Sequence, residues 1–155
     1  MIKELPFEKK AMQAIIFIGI QASGKTTFYN RMLSDDYKHI SLDDLHTRNK
    51  ENLGLMDCLD NGKSFVIDNT NPRISDRVNY IKKAKEYGYH IIGIFFQSIV
   101  KDCVLRNEGR GGDVPSKAIA NTSNKLQMPT IKEGFDELYY VRIENNDFEI
   151  STWRE

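Results

Sequence analysis

Cysteine is scarce. Cys58 and Cys103 are the only two in 155 residues, and neither sits in a CxxC pair or beside a pair of histidines. This excludes a disulfide framework and a thiolate zinc site, and a reducing compartment is the simpler reading. An excess of either charge is also missing, with 22 Lys plus Arg against 22 Asp plus Glu. Proteins that coat long nucleic acids gain affinity by neutralising phosphates, so this balance speaks against that class while leaving local basic patches open. Long apolar runs are missing too. The longest, Ala14–Ile20 and Ile91–Phe96, fall far short of the roughly 18 residues that a membrane span needs. Lys9 and Lys10 ahead of Ala14–Ile20 imitate a short secretory signal. That run is better used as a buried strand, and a cytoplasmic protein is expected. Repeats, low-complexity tracts and linkers are absent, and the length suits one domain over 1–155.

What is present is an alternation of strand-length apolar runs with stretches of helical period. It predicts an α/β fold around a mainly parallel sheet. Ala14–Ile18 is continuously apolar and rich in β-branched residues, as expected of a strand covered on both faces. A helix is expected from Lys25 to about Leu33, a short strand over Tyr37–Ser41 and a helix over Leu45–Asp60, closed by Gly62. Ser64–Ile67 reads as the third strand. Asn71-Pro72 reads as a helix start, with Asn71 as N-cap, and places Ile74, Val78 and Ile81 on one face. His90–Phe96 is the fourth strand, followed by a helix over Ile99–Asn107. Arg106–Asp113 is a polar loop with three glycines, and Val114-Pro115 starts another helix. Tyr139–Ile143 is the fifth strand, with Phe148–Thr152 returning antiparallel. Tyr139, Tyr140 and Trp153 read as core or edge-strand residues in preference to base-stacking platforms.

Gly19-Ile-Gln-Ala-Ser-Gly-Lys-Thr26 matches G-x-x-x-x-G-K-[ST], the Walker A phosphate loop. Its glycines let backbone N–H groups converge on phosphate oxygens, and the helix that follows aims its positive end at the same place. Gly19, Gln21, Ala22, Ser23, Gly24 and Thr27 are the expected nucleotide-binding positions around Lys25 and Thr26. Lys25 adds a full charge, and the Thr26 hydroxyl is the candidate Mg²⁺ ligand. Lys25 is expected to be exposed at the loop.

A P-loop says nucleotide binding and leaves the reaction open. The apolar strand ends Ile67-Asp68-Asn69, without a Glu that could activate water, and no guanine-reading Asn-Lys-x-Asp occurs. Transfer to an acceptor is therefore favoured over hydrolysis. Asp43 and Asp44 follow the second strand at the edge where open α/β sheets bind ligands. Carboxylates in a first helical turn also complement the macrodipole, so the residues alone leave both readings open. Arg106 and Arg110 border or occupy the glycine-rich stretch, about 106–114, which is either a phosphate-closing lid or a solvated basic loop.

Taken in order, Gly19–Thr27, Ser41-Leu-Asp-Asp-Leu45, Val66-Ile-Asp-Asn-Thr-Asn-Pro72, Arg106-Asn-x-x-Arg110 and Glu133-Gly-Phe135 resemble the P-loop polynucleotide 5′-hydroxyl kinase family. The similarity is to the kinase module of phage and animal polynucleotide kinase/phosphatases and covers about Ile15 to Ile143. It implies an adenylate-kinase-like, three-layer P-loop NTPase fold with a central, mainly parallel five-stranded sheet. It also implies Asp43 as general base on the acceptor hydroxyl, Arg110 as lid arginine on the ATP phosphates, and a 5′-hydroxyl end of DNA or RNA as partner. Ser41-Leu42 replaces the Asn-Arg that is frequent before the catalytic Asp. His46 stands where the phage enzyme carries a phosphate-contacting Arg, and Arg48 is the nearby substitute. No Asp-x-Asp-x-Thr phosphatase motif occurs, so a kinase alone is expected. The alternatives are a small-molecule kinase acting on a sugar, nucleoside or antibiotic hydroxyl, and an ATP-binding switch or accessory protein.

Overall fold

β1 (Gln13–Ile18) is buried along its whole length. The computed structural model describes residues 4–154. Parallel partners flank β1: β3 (Phe65–Ile67) on one side and β4 (His90–Phe96) on the other. β2 (Lys38–Ile40) extends the sheet beyond β3, and β5 (Glu137–Glu144) extends it beyond β4, both parallel. β6 (Asp147–Thr152) then returns antiparallel on β5. The sheet thus has six strands in the order β2-β3-β1-β4-β5-β6. Five are the parallel set expected from sequence, and the sixth is the return read at Phe148–Thr152. Asn145 and Asn146 form the turn with φ of 52° and 61°, the left-handed pair that a tight hairpin requires and that Asn tolerates.

Helices cover both faces, giving three layers. On one face, α1 (Lys25–Met32) sets Phe28 and Tyr29 against Ile15 and Phe17 of β1, together with Phe96 of β4. The Phe28 ring meets Phe17 and Phe96 edge-on with centroids 6.0 and 5.4 Å apart, a geometry worth about 0.5–1.5 kcal/mol per pair beyond area burial. On the other face, α3 (Arg48–Asn61) and α4 (Ile74–Glu86) cover Ala14, Ile16 and Ile18. α5 (Val100–Gly109) and α6 (Ser116–Lys125) pack Cys103 and Ile119 against Ile20 and Ala22 beyond the end of β1. Among the described residues no helix is long and apolar enough to cross a membrane.

Several elements depart from the sequence reading. The helix expected over Leu45–Asp60 is broken in two: α2 (Leu42–Leu45) ends at His46, in left-handed conformation at φ 67°, and Thr47 caps α3. Two successive caps, Ser41 and Thr47, each accept a backbone N–H and divide the helical pattern. Asn71 does not cap α4. Its φ is 45°, its side chain donates to the Phe17 carbonyl (2.8 Å), and Arg73 occupies the cap position. Ile74 and Val78 are 41% and 47% exposed, because α4 turns Arg77, Tyr80, Ile81 and Ala84 inward instead. Buried hydrogen-bond partners for Arg77 and Tyr80 decide that rotation. α5 runs to Gly109, so Arg106 lies on its last turn and the irregular loop is shorter than 106–114.

Candidate phosphate and acceptor site

The loop from Gly19 to Gly24 leaves the buried end of β1 and turns sharply into α1. Gly24 takes φ 100°, and a Cβ there would meet Ile143 Cδ1 at 2.8 Å. Gly19 is closed in as well: a Cβ would lie 2.8 Å from Ser23 Oγ and 3.0 Å from Phe96 Cβ. Ala22, at φ 63°, carries the remaining left-handed turn. Hydrogen bonds from outside hold the ring. Gly19 N donates to Thr70 O (3.0 Å), and Ile20 N donates to Ser98 Oγ (3.0 Å).

Lys25 is not exposed as expected. It is buried, and its Nζ donates to the carbonyls of Gly19 and Ile20 at 2.9 Å each. The loop folds back over the ammonium, which then braces the same loop that holds phosphates. Burial pushes Lys25 down to about 8, against the upward pull of Asp68, Cys103 and Asp43 and with a further downward push from Arg110. An anion in the cradle would relieve that burial penalty.

Thr26 Oγ1 donates to Asp68 Oδ2 (2.8 Å). The same oxygen lies 2.7 Å from His39 Nε2, and His39 Nδ1 is 2.8 Å from Asp44 Oδ2. Burial alone would lower the His39 pKa, but the hydrogen bond and charge of Asp68, joined by Asp44, carry it above the ordinary His value. The Tyr29 ring lies tilted against the imidazole, with centroids 4.4 Å apart. Sequence reasoning missed Asp68 and His39 as site residues. The Asp68 signal was present, a carboxylate closing an apolar strand, whereas His39 carried none.

A cavity of about 110 Å³ is lined by Gln21, Ala22, Gly24, Lys25, Thr26 and Thr27, with Asp43, Asp68 and Arg110 facing them. Of the expected nucleotide-binding positions, Gly19 and Ser23 lie behind this lining. Ser23 Oγ is buried without a hydrogen-bond partner. Arg106 also lies outside: its Nη1 donates to the Ala22 carbonyl (2.9 Å) and approaches Cys103 Sγ at 3.6 Å. Arg106 therefore braces the loop while Arg110 faces the cavity. Gln21 Nε2 donates to Thr122 Oγ1 of α6 (2.9 Å). The donors fit a nucleotide with Mg²⁺: the Thr26 hydroxyl and the Asp68 carboxylate are adjacent oxygens that could ligate a hard cation. Among the described residues no cluster of three His, Cys, Asp or Glu offers a separate cage. Mg²⁺ is commonly held in this way, by one or two protein oxygens together with phosphates.

Asp43 and Asp44 part company here. Asp44 is tied to His39, whereas Asp43 lines the phosphate cavity and also the adjoining groove of about 340 Å³, where Arg48, Arg73 and Lys125 stand. Asn69 Oδ1 accepts from Leu42 N (2.9 Å) and fixes the turn that carries Asp43. Asn69 Nδ2 in turn donates to Glu51 Oε2 (2.7 Å), and Glu51 also accepts from Tyr80 and Arg48 at 2.7 and 3.1 Å. Burial, then Glu51, raises the Tyr80 pKa. Arg77, fully buried, clasps Glu133 with two bonds of 2.8 and 3.2 Å and donates to the carbonyls of Asn71 and Gln127. It ties the segment after α6 to the floor of the groove. Tyr140 and Trp153 pack on Phe95 and each other, away from the cavity.

A phosphate-loop motif at the end of a buried parallel strand, with helices on both faces of the sheet, defines a nucleotide-binding, P-loop kinase-like α/β protein. Residues 15–129 match the protein family described as AAA domain, and the chain belongs to that family. It is 32% identical over 142 residues to the bifunctional polynucleotide phosphatase/kinase of Schizosaccharomyces pombe, covering 87% of this chain and 35% of that protein. The chain spans about a third of the length of the curated relatives it matches. Among solved structures, a chain of the Pnkp1/Rnl/Hen1 RNA repair complex superposes with a TM-score of 0.65 at 22% identity, over 84% of this chain and 48% of that one. A gluconokinase from Sinorhizobium meliloti superposes with a TM-score of 0.60 at 18% identity, over 86% and 83% of the two chains. At these identities both likenesses concern the fold.

Proposed function

We propose that the chain is an ATP- and Mg²⁺-dependent cytoplasmic kinase that transfers the γ-phosphoryl group of ATP to the 5′-hydroxyl of DNA or RNA. The observation that carries this reading is the position of Asp43, a free carboxylate on the wall shared by the Lys25 cavity and the basic groove of Arg48, Arg73 and Lys125. A pure binding module has no use for a carboxylate there. The similarity to the S. pombe phosphatase/kinase supports the polynucleotide end as the acceptor.

In this mechanism Gln21–Thr27 wrap the phosphates, Lys25 gives up its carbonyl partners to meet them, and Thr26 and Asp68 would hold Mg²⁺. Bound there, the metal would supply charge that neutralises the phosphate oxygens. Asp43 orients the acceptor hydroxyl and receives its proton as the new O–P bond forms and the bond to the ADP oxygen breaks. Arg110 closes on the transferring group, where charge spreads over the equatorial oxygens. Arg106 acts on the loop and not on the phosphates. Positioning and charge stabilisation do most of the work in such a loose transition state.

The test is transfer of label from γ-labelled ATP to 5′-hydroxyl oligonucleotides beside a panel of sugars, nucleosides and aminoglycosides. Label on 5′-hydroxyl strands, and none on the same strands carrying a 5′-phosphate, supports the reading. Label on small compounds alone replaces it with a small-molecule kinase, and ATP binding without transfer to any acceptor replaces it with a switch protein.

A further inference from the structure

The groove does not end at the acceptor hydroxyl. Arg48 and Asp76 line the hollow shared with Asp43, and both also line a second hollow of about 370 Å³ between α3 and α4, which reaches Lys83. Each hollow alone lies near the lower end of the roughly 300–1,000 Å³ typical of small-ligand sites. The two hollows adjoin through the shared walls of Arg48 and Asp76, and together they offer more room than one sugar or nucleoside fills.

Its charge is also directional. Besides Asp43, the acids along it are already engaged: Glu51 is buried beneath Arg48 and Tyr80, and Asp76 accepts from the backbone and guanidinium of Arg73. Among the described residues, Lys83 at the far end has a neutral side-chain partner alone, Asn52 Oδ1 at 2.8 Å, and Lys125 stands exposed at the near end. Between them Ser75, Asn52 and Asn79 offer exposed hydroxyl and amide groups. Lys125, Arg73, Arg48 and Lys83 along the two hollows, with neutral hydrogen-bonding groups beside them, suit a phosphodiester chain with sugars and bases, because phosphate contacts position a strand and amides meet its other edges.

We infer that the α3–α4 hollow seats the second nucleotide of the acceptor strand, with Lys83 on the phosphate that follows it. This rests on the kinase reading above and adds the path of the strand and its minimum length. The near hollow holds the 5′-nucleoside whose hydroxyl meets Asp43. A strand of two or more nucleotides fills both hollows, whereas a mononucleotide leaves the α3–α4 hollow empty.

The experiment measures kcat/KM at saturating ATP for a series running from a nucleoside 3′-phosphate through a dinucleotide and trinucleotide to a hexanucleotide, all with 5′-hydroxyl ends. The wild type is expected to gain about tenfold or more across the series, as a charge-assisted contact supplies. Lys83→Gln is expected to remove most of that gain. It should also lower the salt slope of the hexanucleotide KM by about 0.7, the value for one single-strand phosphate contact. A second variant, Asn79→Asp, sets a carboxylate in the same hollow and should lower the gain through repulsion while the chain stays folded by circular dichroism. Equal kcat/KM for the mononucleotide and the hexanucleotide, with an unchanged salt slope in Lys83→Gln, would overturn the inference and leave the kinase reading standing. Absence of transfer to every strand would overturn both.

Discussion

His39 Nε2 lies 2.7 Å from Asp68 Oδ2, the same carboxylate oxygen that accepts from Thr26 Oγ1. The imidazole is held on its other side by Asp44 and packs against the tilted ring of Tyr29. It therefore fixes the rotamer of the carboxylate that pairs with the Thr26 hydroxyl. Groups that orient metal ligands are typically worth about 10–100-fold in metal affinity or activity. His39→Ala should raise the Mg²⁺ concentration needed for tight binding of a fluorescent ADP analogue by that factor. Binding in EDTA should change little. An unchanged Mg²⁺ dependence would show that Asp68 keeps its position without the imidazole.

Lys25 gives the pH dependence. Burial lowers it to about 8 in the free protein, and bound phosphates favour the ammonium, so nucleotide binding takes up a proton as pH rises through that value. Affinity for ADP should then fall above about pH 8, by up to about tenfold per pH unit. Lys25→Met should bind more weakly at neutral pH and lose the slope. Calorimetry in buffers of different ionisation enthalpy reads the proton uptake directly.

Arg106 and Arg110 should separate kinetically. Arg110 faces the cavity, so Arg110→Ala should lower kcat by about 10²-fold or more, approaching the range of catalytic arginines. Arg106 instead donates to the Ala22 carbonyl at 2.9 Å, so Arg106→Ala should weaken ATP binding with a smaller effect on kcat. Steady-state kinetics with ATP varied distinguishes the two patterns.

The Arg77–Glu133 pair predicts a stability effect. Both side chains are buried, at 0% and 5% exposure, and Arg77→Ala leaves the Glu133 carboxylate without its bidentate partner. Losing one member of a buried pair costs about 3–5 kcal/mol, readable as a lower urea midpoint at unchanged m-value. Arg77→Lys should recover only part, because one ammonium cannot serve Glu133 and two carbonyls in the same geometry.

The strands and the phosphate loop were legible because each is local: an apolar run, a glycine spacing. Misreadings arose where tertiary partners overrode a local rule. Asn71-Pro72 has the pattern of a helix start, yet the Asn71 amide reaches the Phe17 carbonyl and the helix begins later. Ile74 and Val78 have the spacing of an inward face, yet Arg77 and Tyr80 take that face for Glu133 and Glu51. Lys25 is an exposed lysine by type and a buried one by position, because the loop carbonyls wrap it. The distinction between Asp43 and Asp44 depends on His39, five residues before Asp44, and no spacing rule reports it.

That distinction bears on the central proposal, an acceptor hydroxyl held at Asp43. Asn caps and starts helices as well as Asp, so Asp43→Asn and Asp44→Asn should both fold. The decisive measurement is single-turnover transfer from γ-labelled ATP to a 5′-hydroxyl oligonucleotide, with ATP affinity measured in parallel. Asp43→Asn should slow transfer by about 10²–10⁴-fold, the usual worth of a general base, while ATP affinity stays close to wild type and Asp44→Asn loses far less. Full transfer by Asp43→Asn, with the loss confined to Asp44→Asn, would contradict the account.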